Sequence, residues 1–454
     1  MKLILRLLST FFGSQLRKNM ISGVLTTGIN MLVSLVSYPI YLHYLGYETL
    51  GVWMILITII SMSQMCTLGI GPAVTKLVAE EYGKNDMTGV QAYIITALWL
   101  VTIAGVVSFV GLLFFAHAIV ELFRLHGENA TTALQFLPLV GLLNIYVFQI
   151  NVFSSGLSGL GRMDQANYRN CVCRVVALAT GVALLWWGFG IISLFAGLIA
   201  SYVLMHIMSM ILLKQIYHFS FTDFKSIKIE RFREMVKFGS GVLGSSLVTL
   251  FLNPLNKIII SRYIGVGAIP IYEIASSSTM QIRNLIESAI RAIMPAVSRM
   301  RSLGVPDNMQ KVKAIYITSL RLVWGFGAPI FLVFMVFAPY ILKFWLHQSF
   351  TGMIVPTFQI LLIGTFFSLL SVPAYYMLMG CHGITHCFFS TVIQAFINVV
   401  SALVMIFMLR SINIYALAVC VALSHIGASA YIIIQMRRCV TPNLFPGRGD
   451  AQAF

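Results

Sequence analysis

Arg283, Glu287 and Arg291 recur every fourth residue within an otherwise apolar stretch, and no other spacing in the chain implies chemistry as clearly. At about 100° per residue, an i, i+4, i+8 series covers one helical face within roughly 80°. Glu273, Ser276, Met280 and Asn284 fall on or near that face. Hydrocarbon cannot solvate a polar stripe, so it must face protein or water. Around its middle the stripe carries net positive charge, which suits a phosphate-bearing substrate. A guanidinium fork can donate to two phosphate oxygens at once. Arg283, Arg291 and Asn284 are therefore the candidate substrate-binding residues. The alternative is an Arg–Glu–Arg ladder that ties helices together. Glu287 and Glu273 are the two acids placed inside apolar stretches. Either is a counter-ion, or a group that couples transport to a proton or sodium gradient, with Glu287 the first candidate. Lys257, near the outer end of the preceding stretch, snorkels to the interface or lines an outer cavity as a further binding residue.

The elements that must hold these side chains are membrane helices. The chain has 454 residues, 59% hydrophobic and 10% charged, against roughly a quarter charged in soluble domains. Twelve stretches approach the ~20 apolar residues needed to span a bilayer: 20–42, 50–71, 90–115, 134–156, 172–188, 190–213, 236–260, 271–298, 315–338, 356–379, 386–409 and 412–435. Threading them alternately puts 22 of the 30 Lys and Arg residues on one side, with Arg162, Arg169 and Arg174 assigned to the loop after the fourth span, and five on the other; Arg283, Arg291 and Arg321 lie in or at the edge of spans. The basic side is cytoplasmic and holds both termini. The pI near 9.6 thus reflects short basic loops, not a nucleic-acid surface.

The expected organisation is an amphipathic cytoplasmic segment at 1–18, six helices in 19–213, a basic cytoplasmic linker at 214–235, six helices in 236–436 and a tail at 437–454. Three short matches relate the halves. Tyr44-Leu45-Gly46 pairs with Tyr263-Ile264-Gly265, Pro72-Ala73-Val74-Thr75-Lys76 with Pro295-Ala296-Val297-Ser298-Arg299, and Leu157-Ser158-Gly159 with Leu378-Met379-Gly380. An even number of helices per half implies a parallel repeat, its pseudo-two-fold axis along the membrane normal and a cavity between two bundles. Pro39, Pro254, Pro329 and Pro373 fall in or near spans, as hinges or static bends.

The seven cysteines lack disulfide or zinc spacing, and His382 and His386 lack further ligands, so no metal or other cofactor is expected. No G-x-S-x-G, Walker A or H-E-x-x-H pattern occurs. The largest outer loop, near 116–133, is too short for an enzyme site.

Tyr44-Leu45-Gly46-Tyr47-Glu48, Gly51-Val52-Trp53 and Leu68-Gly69-Ile70 resemble the N-terminal signature of Wzx-type O-antigen flippases, of the MATE-related multidrug/oligosaccharidyl-lipid/polysaccharide superfamily. Gly161-Arg162-Met163-Asp164 is similar to that family's cytoplasmic turn. Many relatives carry Asp before the Leu-Gly of the second helix; here the residue is Thr67, so no role of that Asp carries over. The resemblance implies a MATE-like fold of two six-helix lobes in the bacterial inner membrane. It also implies alternating-access flipping of undecaprenyl-pyrophosphate-linked oligosaccharide, for O-antigen or capsule assembly, with a polysaccharide polymerase or chain-length regulator as possible partner. The alternatives are a lipid II-type flippase, a MATE-type multidrug cation antiporter, a membrane enzyme of the same pathway and a non-transporting scaffold.

Overall fold

The computed structural model describes residues 14–67, 69–217, 229–290, 307–380, 384–407 and 412–439. Among the described residues the backbone forms fourteen α-helices, two 3-10 turns and one π turn. The helices are α1 Ser14–Ser63, α2 Ile70–Gly83, α3 Met87–Phe114, α4 Ala116–Leu122, α5 Gly127–Gly159, α6 Met163–Trp186 and α7 Ile192–Tyr217. They continue as α8 Ile229–Tyr263, α9 Ala268–Ile290, α10 Asp307–Leu322, α11 Ala328–Leu346, α12 Ile354–Gly380, α13 Ile384–Phe407 and α14 Ile414–Cys439.

Nine described helical segments are long and apolar enough to cross a membrane, while α8 and α9 fall outside that set. The first, Ile21–Thr67, has 47 residues. At 1.5 Å per residue it would run about 70 Å, more than twice the hydrocarbon thickness. It is in fact broken at Gly46, whose φ of 69° and ψ of 178° are open to glycine alone. The loop expected between the first two spans is thus a kink. The loops expected after them are also largely helical. α2 carries Lys76 and Lys84 to its end, and α4 with the start of α5 fills most of 116–133. Asp86 caps α3 by accepting from the Gly89 N–H; bonds from Thr88 first, then Gly89, hold its carboxyl below the usual range. The ninth expected span is α10 and α11 joined through the π turn at Val323–Gly327.

Contacts divide the chain into two compact units, Met1–Arg262 and Tyr263–Phe454. In the first, α3 packs on α5, α6 on α7, α1 on α5 and α6, and α2 on α3 and α5. Small residues allow the close approaches. A Cβ added to Gly159 of α5 would lie 2.8 Å from the Thr75 carbonyl of α2, and one on Gly197 of α7 would lie 2.5 Å from the Ala177 carbonyl of α6. The α1 start is stapled to the turn at 161–164. Gln15 Nε2 donates to Asp164 Oδ1 at 2.8 Å, Asn19 Nδ2 to the Gly161 carbonyl at 3.0 Å and Arg162 to Gln15 Oε1 at 3.3 Å.

α8 groups with this first unit, whereas the sequence assigns it to the second half beyond a linker. Its bonds give the physical reason. The Tyr93 hydroxyl donates to Glu234 at 2.6 Å, Lys76 lies 4.5 Å over the Phe238 ring, Lys257 donates to Thr58, and the Ser261 hydroxyl donates to the Phe123 carbonyl. Residues 1–13, 218–228 and 440–454, which include most of the expected amphipathic segment and tail and half of the expected linker, lie outside the described residues.

In the second unit α12 is central, packing on α9, α11 and α14, with α13 on α14. A Cβ on Gly364 of α12 would meet the Ala422 Cα of α14 at 2.5 Å. Gly364→Ala should therefore destabilise the unit by about 1–3 kcal/mol, read as a lower thermal unfolding temperature in detergent. Gly28→Ala in α1, where an added Cβ meets nothing within 4 Å, should leave that temperature unchanged or raised.

Candidate functional site

α9 and α12 build a buried polar centre in the second unit. Arg283 Nη1 lies 2.8 Å from Glu287 Oε2, one helical turn away, and the Tyr376 hydroxyl of α12 donates to Glu287 Oε1 at 2.8 Å. The Arg283 and Glu287 side chains are 18% and 12% exposed, so the pair is held largely away from solvent. Low dielectric strengthens such a pair, but each charge is costly alone. Arg283 also acts electrostatically on His425 of α14 and on Tyr375. His425 Nδ1 lies 3.3 Å from Gln394 Nε2 of α13. The Arg283 Nε has no hydrogen-bond partner among the described residues. Within the described part of the stripe, one cation and one anion are matched, with Tyr376 orienting the anion.

The remaining sequence candidates disperse. Asn284 follows Arg283 but is exposed. Glu273 sits about 15 Å earlier on α9 by helical rise and accepts from the Ser277 hydroxyl at 3.3 Å. Arg291 lies outside the described residues, so the second arginine of the stripe has no described contacts. Lys257 belongs to the first unit and does not snorkel: it is 7% exposed, and its ammonium donates to the Thr58 hydroxyl of α1 at 2.9 Å. That hydroxyl in turn donates to the Met54 carbonyl, leaving a lone pair for the lysine.

Sequence reasoning missed the partners that come from distant helices: Tyr376, Gln394 and His425. It also misplaced Arg169, assigned to a cytoplasmic loop before a span at 172–188. α6 begins nine residues before that span, at Met163, and Arg169 is buried in its second turn with 1% exposure. The signal lay in Gly161, whose left-handed φ of 74° ends the preceding turn so that a helix can start at once.

The chain is thus a multi-pass, all-helical membrane protein with a MATE-like fold. An inward-facing multidrug resistance MATE transporter of the MOP superfamily is similar, with a TM-score of 0.74 at 14% identity over 92% of this chain and 95% of that one. A lipid II flippase, MurJ in an inward closed conformation, is similar with a TM-score of 0.70 at 15% identity over 92% and 88%. The chain belongs to the polysaccharide biosynthesis protein family, whose profile matches residues 16–301. A Shigella flexneri protein assigned as an O-antigen transporter is 20% identical over 358 residues, covering 78% of this chain and 82% of that protein. The curated relative and these two solved structures are a transporter assigned to O-antigen, a multidrug transporter and a flippase.

If the Arg283–Glu287 pair is held as described, removing one partner strands the other in a low-dielectric site. Glu287→Ala or Arg283→Ala should each cost about 3 kcal/mol or more, and Tyr376→Phe about 1 kcal/mol. The double replacement Arg283→Met/Glu287→Leu should recover most of the loss. Thermal unfolding of the four purified variants in one detergent checks these costs.

Proposed function

We propose that the protein flips undecaprenyl-pyrophosphate-linked oligosaccharide repeat units from the cytoplasmic to the periplasmic leaflet of the bacterial inner membrane, for O-antigen or capsule assembly. The observation that carries this reading is the family match over 16–301, joined by the O-antigen transporter relative. Twelve crossings follow if Gly46 divides the first apolar segment into two and α8 and α9, more polar because they line a path, are added to the other eight. An even count keeps both termini cytoplasmic, as the distribution of Lys and Arg requires. Two lobes then rock around a central site, with the breaks at Gly46 and Val323–Gly327 taking up the bending.

In this mechanism Glu287 is a displaceable counter-ion. It neutralises Arg283 before substrate arrives; a diphosphate, with more charge and more acceptor oxygens, then competes for the guanidinium. Protonation of the displaced Glu287 would let it sit uncharged beside Tyr376, and so supplies one route to gradient coupling. A MATE-type site for organic cations should be acid-rich, whereas this stripe carries two arginines for one nearby acid. A lipid II-type flippase shares the fold and needs the same diphosphate chemistry, so the two readings separate on the sugar.

Complementation of a flippase-null strain that makes the native repeat unit tests the proposal, with expression matched in the membrane. Wild type should restore surface polysaccharide, Arg283→Ala and Arg291→Ala should reduce it at least tenfold, and Glu287→Gln should retain part. No restoration by wild type, with lipid-linked units present, would count against the substrate. Full restoration by every variant would make the stripe structural.

A further inference from the structure

Arg174 is not used by the site above. Chain position assigns it to a cytoplasmic loop, but α6 starts at Met163 and carries it to mid-span. By helical rise it lies about 16 Å past Met163 and about 18 Å before Trp186, against a hydrocarbon thickness of ~30 Å. Trp186 and Trp187, both strongly exposed, mark the far interface. At that depth a guanidinium is too far from either headgroup layer to snorkel. Yet Arg174 is exposed, and among the described residues it makes no hydrogen bond and no ion pair.

The position on the helix decides what this side chain faces. Tyr168, Val172, Val175 and Ala179 form an exposed apolar stripe along α6, the side suited to lipid. At about 100° per residue, Arg174 points roughly 130° away from the centre of that stripe. Its own face is the one turned towards α1. Before it, Asn167 Nδ2 donates to the Ser22 hydroxyl of α1 at 3.0 Å, and the Cys171 thiol donates to the Thr26 hydroxyl at 3.3 Å. Two turns after it, a Cβ added to Gly181 would lie 3.7 Å from the Tyr41 hydroxyl of α1. These contacts on both sides of Arg174 fix the register of α6 against α1, and so hold the base of the side chain in place. An arginine keeps its charge, and hydrocarbon cannot solvate it. The face at Arg174 must therefore open on water or on a polar ligand.

Hydrogen-bonding groups from three helices surround that opening. Arg174 acts electrostatically on Tyr41 of α1 and on Tyr202 of α7. Neither phenol hydroxyl has a hydrogen-bond partner among the described residues. Asn30, one turn past Thr26 on α1, has a buried side-chain oxygen that also lacks one. Buried polar groups are ordinarily satisfied, so this seam holds capacity that the described protein does not use. An oxyanion can accept from the guanidinium fork and from phenol hydroxyls alike. Depth narrows the choice. A lipid-linked diphosphate that changes leaflets must pass the middle of the membrane, where hydrocarbon is least able to hold its charge. A guanidinium at that depth offsets the cost.

We propose that Arg174, with the Tyr41 and Tyr202 hydroxyls, forms an oxyanion subsite at mid-membrane depth on the α1 side of α6 in the first unit, and that it holds the phosphoryl group of the headgroup midway through its crossing. The ligand rests on the flippase reading; the water-facing position of Arg174 does not. A lipid diphosphate and a soluble phosphate share the chemistry, and the test separates them.

Two measurements on the full chain test it. The first is the reaction of Arg174→Cys in membrane vesicles with a charged, water-soluble thiol reagent, against Val175→Cys on the apolar stripe, read at each residue by mass spectrometry. Arg174→Cys should react at least tenfold faster, and equal rates would overturn the water-facing assignment. The second is titration calorimetry in detergent with inorganic pyrophosphate and with undecaprenyl pyrophosphate as probes. Arg174→Gln should bind both at least tenfold more weakly than wild type. Arg174→Lys should lose less, because it keeps the charge without the fork. Unfolding temperatures should be equal, because the guanidinium has no described partner to lose. Loss confined to one probe would support the subsite and assign it to that ligand, soluble or lipid-borne. Unchanged binding in Arg174→Gln, no binding of either probe by wild type, or a fall in unfolding temperature that accompanies the loss would overturn it. Failure of wild type to complement a flippase-null strain would bear on the transport reading alone, because neither readout contains a transport step.

Discussion

Hydrocarbon solvates neither a peptide group nor a charge, and the described structure follows from how this chain meets that constraint. Backbone groups are satisfied within helices. Each ionised side chain drawn inside receives its own solution. Arg283 is matched by Glu287 and Tyr376, Lys257 leans on the Thr58 hydroxyl, and Arg169 has only neutral partners in Ser154, Ser209 and Asn170. These solutions differ in what they leave over. The first is electrically closed, while the third holds its charge among neutral oxygens.

Close packing of small residues makes such burial possible. Gly159 against Thr75, Gly197 against Ala177 and Gly364 against Ala422 bring backbones together where larger side chains would hold them apart. The same residue type breaks helices where direction must change. Gly46 kinks the first long segment, and Gly69 is the left-handed N-cap from which α2 starts, with the Gly239 backbone packed against it.

Much of this was legible in the sequence because it depends on local periodicity. The Arg283–Glu287 contact follows directly from an i, i+4 spacing in an apolar helix, and the apolar runs located most of the helices. The misses share one cause. Counting basic residues by chain position treats every cation between spans as a loop residue, so Arg169 looked solvent-exposed when it is in fact at 1% exposure. Tyr376, Gln394 and His425 belong to helices far along the chain from Arg283, and no one-dimensional pattern brings them together. The association of α8 with the first unit likewise rests on side-chain bonds from Glu234, Phe238, Lys257 and Ser261, which periodicity cannot express.

The central claim is directional movement of a lipid-linked headgroup, and sidedness measures it most directly. Spheroplasts loaded with labelled lipid-linked repeat units would be treated with a membrane-impermeant sugar-modifying enzyme, before and after depletion of the protein. The account predicts that labelled units are accessible from outside while the protein is present and become protected when it is gone. Accessibility unchanged by depletion would contradict it.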